Sequence, residues 1–171
     1  MTGQINVNKI AARTGNTITI NSGDKISGAA GSIVAPGQII QVVTASDAVE
    51  RTLTSSSFVA ASNTLSVSIT PSSASNKIFV TCSLSYGSPS GTHSFFATLY
   101  RGSTNLGTAN GFGNLFSGSS YHYAHATLQI LDSPNTTSSV TYQPYFRVGS
   151  GTGRINNSAS VSTITAFEVV G

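Results

Sequence analysis

The sequence predicts an all-β fold: an antiparallel β-sandwich head, jelly-roll-like, behind a short extended N-terminal arm. Three observations predict it. Charged residues make up 8% of the 171-residue chain, against roughly 25% in an average soluble domain, too few to coat the exposed faces of long helices. Apolar residues recur with period two in segment after segment, with no helical period anywhere. Those segments end in clusters of Gly, Pro, Asn or Ser, the turn chemistry of a sheet protein. A hydrophobic content of 39% excludes disorder, and the length fits one domain with an appendage.

The elements follow in order. Residues 1–36 form the first unit, a predicted docking and oligomerisation arm. It is polar, with spaced Ile5, Val7 and Ile10. A short alternating strand, TITI, then places Ile18 and Ile20 on one face before the turn Asn21-Ser22-Gly23-Asp24. These five aliphatic residues are too few for a core. The arm therefore needs another surface to lie on, and its strand edges need partners. Intertwined copies of the chain satisfy both requirements.

Residues 37–171 form the second unit, the head. Residues 38–44 (QIIQVVT) are nearly continuously apolar, which predicts a strand buried on both faces. A strand at 58–61 follows a Ser run. Leu65, Val67 and Ile69 alternate up to Pro71, and Ile78, Val80, Cys82, Leu84 and Tyr86 alternate up to Gly87. In residues 94–101, Phe95, Ala97 and Leu99 share one face, with Phe96, Thr98 and Tyr100 on the other. Residues 102–120 read as a long glycine-rich loop, and such loops usually have a task or a partner. Its Phe112, Leu115 and Phe116, with Tyr121 and Tyr123 just beyond, are the candidate recognition or interface residues. Residues 121–131 make the longest strand. Val140, Tyr142, Phe146 and Val148 mark another, in which Pro144 predicts an edge, a bulge or an early end. Residues 161–170 close the head, giving about eight strands, the spacing of a sandwich or jelly roll.

Charge and chemistry narrow the function. The net charge of +3 comes from eight basic and five acidic residues. The bases are scattered, without the stripe that nucleic acid requires, so no nucleic-acid partner is expected. No run approaches the roughly 18 apolar residues of a membrane span, and residues 1–8 lack the features of a signal peptide. Sugar hydrolysis needs two carboxyls roughly 5 to 9.5 Å apart. Among the acids only Asp47 and Glu50 are near neighbours, in a polar loop where they read as solvated charges. Asp132 reads as a turn former, and Glu168 as outward-facing or paired with an Arg. His122 and His125 are three apart on a strand and so fall on opposite faces. Cys82, the single cysteine, reads as a small buried hydrophobe. No catalytic, metal-binding or cofactor-binding residue is expected, and the chain reads as non-enzymatic. The tyrosines carry the better hint, since such rings stack on sugars or fill protein interfaces.

A group of segments carries a likeness: TITINSGD at 17–24, PGQIIQVV at 36–43, LSVSITPS at 65–72, Lys77-Ile78, LYRGSTNLG at 99–107, LDSP at 131–134 and STITAFEV at 162–169. In order and spacing these resemble modules of aquatic bacteriophages, cyanophages especially, described as tail-fibre-like or virion structural proteins. The likeness spans most of residues 14–170. It implies a virion protein, assembled in the bacterial cytoplasm, with a β-sandwich head and a short arm, often homotrimeric. Its expected partners are copies of itself and other virion proteins of the tail, baseplate or capsid, with host surface glycan as a further one. A typical fibre has a longer shaft than residues 1–36 supply, so a short fibre, a knob or a capsid decoration (cement) protein suits the length. A glycan-binding receptor-recognition module, its contacts made by the loops at 87–93, 102–120 and 149–157, is the other expectation. The likeness implies no catalytic residues.

Overall fold

Period-two patterning becomes strands throughout the head. In the computed structural model the described residues are 22, 23, 26, 33–88, 93–118, 121–157 and 160–171. The chain divides into two units, Met1–Ile33 and Val34–Gly171. The arm residues Ile5, Val7, Ile10, Ile18 and Ile20 lie outside the described residues, and the fold described below is that of the second unit.

Its strands are β1 (Ile39–Asp47), β2 (Arg51–Leu53), β3 (Val59–Ala60), β4 (Val67–Ile69), β5 (Lys77–Ser88), β6 (His93–Arg101), β7 (Thr104–Asn105), β8 (Gly113–Ser117), β9 (His122–Asp132), β10 (Val140–Ser150), β11 (Gly153–Ile155) and β12 (Ser162–Val169). They form two antiparallel sheets. In the first, β9 runs along one flank of β5. The other flank of β5 takes β12 and then β11, with β1 outside β12 and β2 outside β11. In the second, β10 and β6 form the centre, β3 and β4 flank β10, and β7 and β8 flank β6.

The inward sets of the two sheets meet as a sandwich. Ile78, Val80, Cys82 and Leu84 of β5 and Ile164 and Ala166 of β12 have no exposure, nor do Leu99 of β6 and Tyr142 and Phe146 of β10. The Tyr86 ring of the first sheet stacks on Phe95 of the second, with centroids 4.9 Å apart. Fully burying one such side chain is worth about 1.5–3 kcal/mol, so these period-two sets hold the sheets together. Phe95, Ala97 and Leu99 occupy the inner face of β6, as their alternation predicts.

Three expectations are corrected. The run at 38–44 is not buried on both faces. It lies in β1 at a sheet edge, with Ile39 and Val42 about half exposed. Its outward apolar residue instead completes a cross-strand row, Val42–Phe167–Phe79–Leu131, on the outer face. Pro144 lies in the sheet centre, neither at an edge nor at a bulge. The Pro144 carbonyl accepts from the Ala61 N–H at 3.1 Å, so its ring nitrogen faces the same flank. That is where the β10 partner changes from β4, which ends at Tyr142, to β3, which begins at Tyr145, so no ladder bond needs the missing N–H. Finally, residues 102–120 are not one long loop. They contain β7, a Thr108–Gly111 bridge and β8.

Candidate functional site

Each of the four described carboxylates is engaged by the framework. Asp132 on β9 takes two hydrogen bonds from Arg101 Nη1, at 2.9 and 2.7 Å, and one from the Tyr142 hydroxyl at 2.6 Å. Arg101 and Tyr142 belong to the other sheet, so the group is a clamp across the sandwich rather than the expected turn. Burial, and then Asp132 itself, pushes the Tyr142 hydroxyl far above its ordinary value. Glu168 is neither outward nor paired with an Arg. It is fully buried on β12, where Oε1 accepts from Ser72 N (2.6 Å), Ser72 Oγ (2.8 Å) and Asn76 Nδ2 (2.7 Å). Burial alone would raise its pKa, but the hydrogen bonds from Asn76 and Ser72 outweigh that and hold it below the usual range.

Of the expected pair of solvated charges Glu50 is exposed as read, and Asp47 departs. Asp47 is buried and accepts from Val49 N at 2.9 Å and from Arg51 Nη1. Burial again acts upward on its pKa, yet hydrogen bonds from Ser62, Val49, Arg51 and Thr64 hold it low. Glu50 pairs with Arg154 at 3.2 Å. Cys82 is buried as expected, and burial pushes its thiol up to about 12, far from a reactive thiolate. Among the described residues no three His, Cys, Asp or Glu side chains gather as metal ligands.

The five candidate recognition residues divide between two neighbouring edges. Phe112, Leu115 and Phe116 lie along the β8 edge of the second sheet. The Phe112 N–H donates to Ala97 at 2.9 Å, and Leu115 and Phe116 pair in register with Phe95 and Ser94. Tyr121 and Tyr123 lie at the start of β9, the edge of the first sheet, their rings 6.4 Å apart. The two edges share an apolar groove of about 90 Å³, lined by Tyr86, Phe95, Ala97, Gly113, Asn114, Ala126 and Leu128. Phe116 and Tyr121 are 68% and 70% exposed, the most open aromatic rings described in the head.

Glycine sets the posture of Tyr123. Gly87 on β5 lies directly across from it, and a Cβ there would sit 2.2 Å from Tyr123 Cδ1. The ring therefore folds over bare backbone, as an aromatic does beside a cross-strand glycine. Next to it is a shallow hollow of about 210 Å³ lined by Ser85, Tyr123, Ala124, His125, Asn157 and Ser160. An aromatic wall, an imidazole, hydroxyls and an amide suit a neutral polar ligand with one apolar face. Among the described residues no carboxylate lines the hollow to act as acid or base. Sequence reasoning missed Ser85 and Ser160; it read His125 only by its face on the strand, and Asn157 closes the 149–157 loop expected to contact glycan. The signal was the alternation Ala124, Ala126, two small residues where the rest of β9 carries larger ones. The sequence matches no known protein family and no curated protein.

Proposed function

We propose that this chain is a non-enzymatic structural protein of a bacteriophage particle, a short fibre or appendage. Residues 1–36 would anchor it there, among tail, baseplate or capsid proteins, and the β head would face outward. One observation carries the non-enzymatic part: Asp47, Glu50, Asp132 and Glu168 are all engaged in contacts that tie loops and sheets together. Such a head is built to hold its shape and present a surface, and its exposed aromatic residues gather at the β8–β9 edges. The likeness of segments such as PGQIIQVV and STITAFEV to cyanophage tail-fibre-like proteins supports the particle.

Cryo-electron microscopy of purified particles tests this reading. Density for the head at the tail is the expected result. Density spread over the capsid would reassign it as a decoration protein, and its absence from purified particles would end the virion reading. A second role, recognition of host surface glycan, is favoured by the hollow beside Tyr123 and His125. Glycan-array binding that Tyr123→Ala abolishes is the outcome that role requires.

A further inference from the structure

Edge strands carry unpaired N–H and C=O groups that will pair with any passing strand, so proteins keep them short, bulged or charged. Most edges described here follow that rule. β2, β3, β4 and β7 are two or three residues long, and β8 has five. β1 has nine but its register slips between Ile39 and Gln41. β9 does not follow it. It runs eleven residues, and its pairing with β5 is continuous from Asp132 to His122. It contains no Pro, Gly, Lys or Arg, its one carboxylate, Asp132, stands at the last position and is taken up by Arg101, and among the described residues its far flank has no partner strand. At roughly 3.3 Å per residue this is a regular open edge about 36 Å long.

We propose that this edge is an interface with a second copy of the chain, β9 pairing antiparallel with β9 about a two-fold axis through Thr127. The pattern of β9 is self-complementary in that register. A two-fold axis normal to the sheet keeps outward residues on the outward face, so only residue-centred registers are allowed. Thr127 is the midpoint of His122–Asp132, and only that centre pairs the whole strand. On the outer face Tyr123 meets Leu131 of the second copy, His125 meets Gln129, and Thr127 meets itself. On the inner face Ala124 meets Ile130 and Ala126 meets Leu128, small against large in both. The two terminal positions place His122 opposite Asp132, opposite in character rather than alike. The joined sheets would form one continuous sheet of twelve strands, twice the six in each first sheet. The pairing is independent of which particle carries the protein. It closes at two copies, unlike the homotrimer implied by the sequence likeness.

Sedimentation equilibrium of the full chain at micromolar concentration tests it. The expected mass is twice the 17.5 kDa of one chain. Thr127→Lys and Thr127→Glu, each facing its own charge at the axis, should sediment as monomers with unchanged circular dichroism. Mixing the two should restore the dimer, which a folding defect would not allow. Thr127→Cys should form an intermolecular disulfide on mild oxidation while Gln129→Cys, which faces His125, should not; Cys82 is fully buried and stays out of the reaction. A wild-type monomer would assign the edge to residues 1–36 or to another particle protein, and so overturn the pairing. A trimer, or a dimer indifferent to Thr127→Lys, would overturn it equally.

Discussion

At its Asp132 end, β9 is tied across the sandwich by Arg101 and Tyr142. In the same cross-strand row, one strand beyond Ile78, Glu168 gathers Ser72 and Asn76. At its His122 end the same strand meets bare backbone at Gly87, carries Ala124 and Ala126 inward, and leaves Tyr121 and Tyr123 in the open. One strand thus has a clamped end and an open end. Asp132 and Glu168, carboxylates of the kind that in an enzyme would line the cleft, sit at the clamped end and act on stability, while Asp47 and Glu50 are taken up by arginines toward the other end. Small residues and exposed aromatics sit at the open end, where they leave a groove and a hollow.

The largest blow to this contrast is Asp132→Ala. It leaves a guanidinium and a buried hydroxyl without their acceptor and should cost about 3 kcal/mol, the low end for a broken buried pair because Arg101 reaches solvent. Urea unfolding measures it. Next comes Glu168→Gln, expected to cost about 2 kcal/mol at neutral pH by weakening charge-assisted bonds. The folded Glu168 titrates below the ordinary carboxylate range. Its contribution is therefore full above the unfolded value of about 4.3 and is lost as pH falls through the lower folded value. The wild type should lose stability on acidification through that window, and the Gln variant should lose less.

Two substitutions at the open end have smaller expected effects. Gly87→Ala forces Tyr123 aside and crowds the His122 carbonyl. It should cost about 1 kcal/mol and shift the Tyr123 ring signals in NMR spectra. Tyr121→Ser should change stability by less than about 0.5 kcal/mol, because its ring is mostly in water. A large loss there would mean that the open end is structural after all.

The sequence made the sandwich legible where alternation is long. β5, β6, β9 and β12 announce themselves because each buries every second residue against the opposite sheet. Short strands escaped notice: β2, β7 and β11 have two or three residues, too few for a period to register. β8 hid among glycines. The roles of the acids were illegible for another reason. Arg101 is 31 residues from Asp132, and Ser72 is 96 from Glu168. Nothing local in TITAFEV or LDSP reveals such partners. The exposed aromatics were legible singly, while their division between two sheet edges came only from the pairing of β8 with β6 and β9 with β5.

Hydrogen exchange along the β5–β9 ladder, read amide by amide, tests the contrast most directly. Amides bonded near Ile78 and Asp132 should exchange only through global unfolding, while those near Tyr86 and Ala124 should exchange through a cheaper local opening. Pairing of two β9 strands would protect both ends alike and leave that gradient in place. Uniform protection along the ladder, or a gradient running the other way, would contradict the account.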